Sequence, residues 1–485
     1  MPALEVVIAV DQGTSSTKAI AVDSAGRIVA EASVPVGQAH PRPGWVEQDA
    51  DEIADSVVRT LRDVSHGLDA TPVAIGLSTQ RESALVWDRA SRRPLGPMLG
   101  WQDRRTAPRA RGLADLPGVA ARVRRVTGLP LDPMFSALKL AWLLDEVDPD
   151  RSRSQAGELA VGTVDCWLVA RLTGEHRIEL GNASRTQLLD VEQGTWDDEL
   201  LDLFRIPRAV LPRLAASDEP TGPVAAQSVP AVPVTGVLGD SHAALYGHGV
   251  REPGAVKVTL GTGSSVMGLG DVPAGALART IAWATPEPVL AFEGNILSAG
   301  STLVWLAGVL GMDTAALVQL GLDAPDSPID LVPAVAGLGA PWWDDRAQAV
   351  ITGFDLGTDR AALARAAVDS IPLQVEDVLV AADAATGTRI DTLHLDGGPA
   401  GNDQIAQRLA DLTGRTVVRP TAAGLSARGA ASLAGAAAGV WVALPAGEST
   451  TFIPALPLDV AAERYHRWLD AVARARLTPT SRSQP

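Results

Sequence analysis

Cysteine occurs once in this chain of 485 residues, at Cys166, which excludes an internal disulfide and a cysteine metal cluster. Lysine is also scarce: only Lys18, Lys139 and Lys257 occur among 41 basic residues, so almost all the positive charge is Arg. No GxGxxG or GxxxxGK[ST] run is present, which removes sequence support for a Rossmann dinucleotide site or a P-loop, and the absence of GxSxG removes the commonest serine-hydrolase signature. The 7 histidines show neither HExxH nor HxH spacing, and His242 reads as structural or supporting. The start, Met1-Pro2-Ala3-Leu4-Glu5, lacks the basic region of a signal peptide. A long uncharged stretch, 429–447, is rich in Ala and Gly and contains Pro445, which suits a packed buried helix better than a membrane span. A net charge of -16 argues against a nucleic acid or an acidic membrane as partner. These features fit a cytoplasmic protein with a small-molecule partner, for which a homodimer is open.

The chain is rich enough to bury large cores: 46% of residues are hydrophobic and 20% charged. At about 150 residues per domain, its length predicts two or three domains. The stretch that organises the first half is VVIAVDQGTSSTK at 6–18. Five apolar residues read as a strand covered on both faces, the run stops at Asp11, and a turn with a glycine, several hydroxyls and Lys18 follows. Consecutive backbone N–H groups and hydroxyls in such a turn can cradle a phosphate. A second strand follows at once, so this is a hairpin and not a strand-to-helix loop.

The same construction recurs at 255–269, with a strand, the turn Gly261-Thr262-Gly263-Ser264-Ser265 and a returning strand. Two copies half a chain apart imply an internal duplication with facing lobes, which one nucleotide could bridge. A plain hairpin would account for either turn alone.

Between them the pattern alternates strand and helix. Asp49 and Glu52 predict a capping box ahead of a helix with Ile53, Val57, Leu61 and Val64 on one face. A buried strand at 73–77 delivers Arg81 and Glu82 to its C-terminal end, where open α/β sheets collect ligands; a surface ion pair is the bland alternative. A core helix is expected at 162–172, a polar turn at 182–186 and a proline-broken connection without regular elements at 206–233. A strand at 234–238 then leads to Gly239-Asp240-Ser241-His242, where Asp240 could take a proton from a substrate hydroxyl or simply cap a helix. Later, Pro372 should kink a helix at 359–382. Asp396-Gly397-Gly398-Pro399-Ala400-Gly401-Asn402 offers either a flat surface for a base or a tight strand-to-helix turn, and the tail at 476–485 reads as flexible.

Taken in order, DQGTSSTK at 11–18, GWVEQD at 44–49, STQRESALVWD at 78–88, GWQDRRT at 100–106, GTVDCWL at 162–168, NASRT at 182–186, GD at 239–240, GTGSS at 261–265, GLGAPWWD at 337–344 and DGGPAGN at 396–402 resemble the FGGY carbohydrate kinases, most of all their glycerol kinase branch. The resemblance implies an α/β chain with a two-lobed actin-like, ribonuclease-H type ATPase fold, its duplicated domains at 1–245 and 246–475 closing on a central cleft that takes ATP and Mg2+. It puts Thr14, Ser15, Ser16 and Lys18 on ATP phosphates and Asp11 near the metal. Gly261, Thr262 and Gly300 fall on the phosphate and ribose side, and Gly398 and Asn402 on the adenine side. Asp240 matches the general base, Arg81 and Glu82 the pair that grips neighbouring hydroxyls, and Trp101 an apolar wall.

The departures gather at the acceptor pocket. Met134 stands where glycerol kinases usually have Tyr, Ser265 where they have Phe, and Ser241 where they have Gln. Losing two aromatic walls widens the pocket, so the expected acceptor is glycerol or a longer C4–C5 polyol, phosphorylated on a terminal hydroxyl. A ketose kinase of the same fold and a non-kinase actin-like ATPase are the alternatives.

Overall fold

The computed structural model describes residues 4–444 and 447–476. The tail expected at 476–485 lies outside the described residues, apart from Arg476, which closes the last helix, Leu458–Arg476. The chain forms two compact units. One takes the chain up to Gly249, Arg279–Ala291 and the segment opening at Gly424; the other takes Val250–Ala278, Phe292–Ala423 and the segment opening at Gly447. Two stretches of the second half therefore belong with the first.

In the first unit a five-stranded sheet runs in the order Val234–Gly239, Thr71–Thr79, Glu5–Gln12, Ser16–Asp23, Ile28–Pro35. The first three are parallel, and the hairpin at 5–23 adds the antiparallel side. Residues 6–10 are all fully buried because both faces of their strand are covered. Val6, Ile8 and Val10 join the core with Ile53, Val57 and Leu61 of the helix Ala50–Ser65. Val7 and Ala9, pointing the other way, meet alanines of the helix Leu425–Ala437. That second helix can lie close only because it is made of small residues: a Cβ on Gly429 would overlap the backbone of Ala243 in the helix Asp240–Gly247.

Several local expectations change once neighbours are present. Asp49 caps its helix by accepting from the N–H groups of Asp51 and Glu52, but Glu52 does not return to Asp49; it accepts from Gly37 N at 3.1 Å, because the end of the strand Ile28–Pro35 passes within its reach. The core helix expected at 162–172 forms as Val164–Thr173, entered from the strand Leu159–Gly162. The stretch 182–186 is buried throughout and partly helical. The proline-rich connection still forms a short strand, Arg213–Ala215, by pairing with Arg177–Glu179.

The second unit repeats the plan of the first. The hairpin of Ala255–Leu260 and Ser264–Leu269 is antiparallel, and Thr392–Gly397 and Thr416–Pro420 continue the sheet in parallel from its first strand. The helix Arg360–Thr386 runs over 27 residues with Pro372 buried inside it. Among the described residues, no single helix is long and apolar enough to cross a membrane.

The close approach at Gly429 makes a stability prediction. Gly429→Ala should lower the unfolding free energy of the first unit by about 1–3 kcal/mol through overpacking. Gly112→Ala, on an exposed helix position with nothing within 4 Å, should leave it unchanged or raise it by up to about 1 kcal/mol. Chemical denaturation of the two variants beside the parent checks this.

Candidate active site

Parallel pairing sets Asp11 opposite Ser78 and Gly239 opposite Thr79. The three parallel strands of the first unit therefore end level, and Asp11, the Arg81-Glu82 pair and Asp240 all leave from that one edge. Asp240 is the first residue of the helix Asp240–Gly247, whose N-cap is Gly239, so it does not serve as the cap. Its Oδ1 accepts from Ser241 N at 2.6 Å and lies 3.3 Å from Arg81 Nε. With its side chain 39% exposed, it is open to a reactant.

Arg81 is buried and fits only because residue 239 lacks a side chain: a Cβ there would lie 2.6 Å from Arg81 Cδ. From this position the guanidinium reaches His242 Nε2 at 3.4 Å and Glu82 Oε1 at 3.9 Å. Glu82 holds a left-handed backbone, φ 60, a costly conformation for a residue with a Cβ and one that functional sites often retain. Its Oε1 accepts from Arg185 Nε at 2.6 Å, and its carbonyl accepts from Ser136 Oγ at 3.0 Å. Asp11 accepts from Ser78 Oγ at 2.8 Å, while burial, helped by the Asp240 charge, raises its carboxyl to about 6 against the lowering effects of Ser78 and Lys18.

In the phosphate-type turn, Gly13 N donates to Ser16 O at 3.0 Å, which folds the chain back. Ser15 and Lys18 face solvent, and Ser16 and Thr14 are half-buried. Thr14 is held twice, its carbonyl by Gln48 Nε2 at 2.9 Å and its hydroxyl by Trp101 Nε1 at 3.2 Å. Trp101, 37% exposed, is thus tied to the turn as well as being an apolar surface. Met134 is half-buried, with its N–H on Asp132 Oδ1 at 2.8 Å. The wholly buried Lys139 anchors this loop from beneath, donating to the carbonyls of Pro133, at 3.2 Å, and Met134. Burial pushes the Lys139 ammonium down to about 7 against the attraction of Glu82, Asp103 and Asp132.

The second unit assembles its own polar turn. Gly261 N donates to Gly263 O at 2.8 Å, while Gly300 N and Ser301 N donate to the carbonyls of Gly261 and Thr262, both at 3.0 Å. The start of the helix Gly300–Leu310 is thereby fastened to the hairpin turn, with Thr262 exposed. Ser265 stands opposite Thr259 on the hairpin. Gly398 is exposed and borders open space, so that a Cβ there would meet no heavy atom within 4 Å. Asn402 caps the helix Asp403–Thr413 by accepting from Gln404 N at 2.9 Å and Ile405 N at 3.3 Å. Asn402 therefore does the work of a strand-to-helix turn whatever else it contacts.

Residues 6–247 match the FGGY family of carbohydrate kinases, N-terminal domain, and 256–438 match its C-terminal domain. The chain belongs to the FGGY family of carbohydrate kinases. It is 41% identical to a glycerol kinase of Bordetella parapertussis, covering 97% of each chain. It is 39% identical to an apulose kinase of Pectobacterium atrosepticum, over 98% of this chain and 99% of that one. The glycerol kinase of Plasmodium falciparum solved with ADP superposes with a TM-score of 0.91 at 26% identity over 99% of each chain. The expected two-domain actin-like ATPase fold is the fold of this kinase, a phosphotransferase with an alcohol acceptor.

Two residues that hold this site carry no role in the sequence pattern: Arg185, present only inside a motif, and Lys139. The available signal for Lys139 is composition, since a lysine amid so many arginines, inside an apolar helix, is conspicuous. For Arg185 there is none: its partner Glu82 lies 103 residues away.

The Lys139 ammonium gives a pH prediction for the kinase. Its folded pKa lies below the ordinary 10.5, so between about 7 and 10.5 the unfolded chain binds the extra proton and stability rises with pH. The stability of the parent relative to Lys139→Met should climb across that window by up to about 1.4 kcal/mol per pH unit and stay flat below it. Denaturant titrations of both proteins from pH 6 to 10 measure this; a constant difference would contradict it.

Proposed function

We propose that the kinase transfers the γ-phosphoryl group of ATP to a terminal hydroxyl of a polyol, glycerol or a C4–C5 homologue, with Asp240 as general base. The observation that carries this reading is the placement of Asp240, open to solvent and 3.3 Å from Arg81 Nε, at the same sheet edge as Glu82 and Asp11. A primary alcohol is a poor nucleophile, and a carboxylate within reach can accept its proton as the phosphoryl group leaves ADP. Glu82, acceptor-only when ionised, suits two hydroxyl protons, and Arg81 donates to the oxygens, which together select vicinal hydroxyls. The Trp101 ring offers a surface to carbon chains, and Met134 and Ser241 leave more room than Tyr and Gln would. The role of Ser265 on the acceptor side rests on the family resemblance alone.

Thr14, Ser15, Ser16 and Lys18 are the proposed phosphate contacts, Gly261, Thr262 and Gly300 the phosphate and ribose contacts, and Gly398 and Asn402 the adenine contacts. Among the described residues no group of three or more His, Cys, Asp or Glu side chains is placed to hold a metal. Mg2+ fits the oxygen set at Asp11 nonetheless, since it commonly takes one or two carboxylates plus substrate phosphates, and the mutual repulsion of Asp11 and Asp240 favours a cation there. Bound by Asp11, Mg2+ would supply charge neutralisation to the phosphate chain. We place the enzyme in the reducing cytoplasm, consistent with a single buried cysteine, Cys166. The 39% identity to an apulose kinase keeps a ketose acceptor as the second reading.

Asp240→Asn tests the assignment. Phosphoryl transfer should fall by about 10²–10⁴-fold while the Kd for Mg-ATP, measured calorimetrically, changes little. A variant retaining a tenth or more of the parent kcat would remove Asp240 from the role of base.

A further inference from the structure

Three glutamines, Gln12, Gln48 and Gln80, are buried in the first unit at 0, 3 and 1% exposure, and their amides bond to one another. Gln80 Nε2 donates to Gln48 Oε1 at 2.8 Å and to Gln12 Oε1 at 3.2 Å, while its backbone N–H donates to Gln12 O at 2.8 Å. Gln12 Nε2 in turn donates to Gly13 O at 2.7 Å, and Gln48 Nε2 to Thr14 O at 2.9 Å and Gly37 O at 3.3 Å. Gln80 directly precedes Arg81 and Glu82, and Gly13 and Thr14 form the proposed phosphate turn. The ladder therefore begins at the segment proposed to hold the acceptor and ends on the carbonyls of the turn proposed to hold phosphate. Trp101 Nε1 on Thr14 Oγ1, at 3.2 Å, supplies a second tie between the same two places.

The ladder is firmly mounted. Gln48 follows Glu47, whose Oε1 accepts from Arg105 Nη2 at 2.7 Å. The Arg105 guanidinium is buried between the rings of Trp45 and Trp142, at 3.7 and 4.6 Å from their centres. Burial away from competing water makes each amide bond a strong geometric restraint. In-line phosphoryl transfer depends on how well the attacking oxygen is positioned against phosphorus, and a misplacement of about 1 Å costs about 10²-fold.

We propose that the Gln12–Gln48–Gln80 ladder, with the Trp101 N–H, is the positioning device that sets the phosphate turn at attack distance from the acceptor hydroxyl. It thereby keeps ATP consumption matched to acceptor phosphorylation. When the turn drifts, water competes for the γ-phosphorus: the bond to the ADP oxygen breaks, the bond to a water oxygen forms, and ADP, inorganic phosphate and a proton leave with the acceptor unmodified. The inference rests on the functional reading above, since it takes Thr14 as a phosphate contact and Arg81-Glu82 as the acceptor pair.

Gln48→Met, close in size but without donors, and Trp101→Phe, which keeps an aromatic ring and loses the N–H, test it independently. The measurement is ADP formed against acceptor phosphorylated, with Mg-ATP and each of glycerol, erythritol and xylitol at saturation. The parent should give a ratio near one. Each variant should lose about 10–100-fold in kcat with a ratio clearly above one, and Gln48→Met, outside the proposed acceptor contacts, should keep acceptor KM within about 3-fold of the parent. Loss of folded protein scales kcat without changing the ratio, so a structural role alone does not reproduce this pattern. Parent kcat and ratio in both variants overturn the ladder and leave the functional reading intact; should Gln48→Met not fold, an unchanged ratio in Trp101→Phe overturns it alone. A parent protein that phosphorylates none of the three and no ketose overturns the functional reading, and the inference with it.

Discussion

Arg81 is the group on which the arrangement of the first unit's site depends. Its aliphatic stem passes the end of a parallel strand where Gly239 has no side chain to obstruct it, and its Nε lies 3.3 Å from Asp240. Without a fixed cation there, Asp240 would lose its neighbouring guanidinium while still facing the repulsion of Asp11. Arg185 completes the balance from the other side, bonded to Glu82 and with its guanidinium 5.2 Å from the Phe135 ring centre. Buried ion pairs of this kind add little net stability compared with an apolar core, and breaking one by removing a partner is costly. Their value here is positional, because each carboxylate is presented in one orientation to whatever occupies the edge.

The acidity of the chain as a whole, -16, does not conflict with a site for anionic phosphates. Charge is handled locally. On the proposed reading, the hydroxyls of Thr14, Ser15 and Ser16 in the first unit offer donors without net charge, and Lys18 adds one ammonium. Arg185 is committed to Glu82, and Arg81 lies beside Asp240. Burial, more than the neighbouring charge of Asp240, is what raises the Asp11 carboxyl.

Much of the fold was legible in the sequence because it follows from alternation and from one repeated device. The apolar run at 6–10 and the strand pattern at 255–260, each followed by a glycine and hydroxyl turn, announce two hairpins, and both hairpins form. What could not be read is what distance in sequence conceals. The small-residue helix at 425–437 covers the sheet built largely from the first 80 residues, and nothing in its composition names that partner. The buried amides of Gln12, Gln48 and Gln80 meet only because parallel pairing sets Gln12 opposite Thr79. Local signals misled where tertiary contacts took a side chain away: Glu52 serves Gly37 instead of its own helix, and Arg213–Ala215 forms a strand inside a proline-rich connection because Arg177–Glu179 lies beside it. Family resemblance singled out Arg81, Glu82 and Asp240 as candidates, and the geometry brings the three together beside Gly239 and Arg185.

The central claim is that Arg81 and Glu82 present a pocket for the vicinal hydroxyls of an open-chain polyol. The most direct test is kcat/KM for ADP release with Mg-ATP against glycerol, erythritol, threitol, ribitol, xylitol, arabitol, D-ribulose and D-xylulose. The account predicts that a three- to five-carbon polyol gives the highest value. A protein that turns over only the ketoses, or none of the eight, would contradict it.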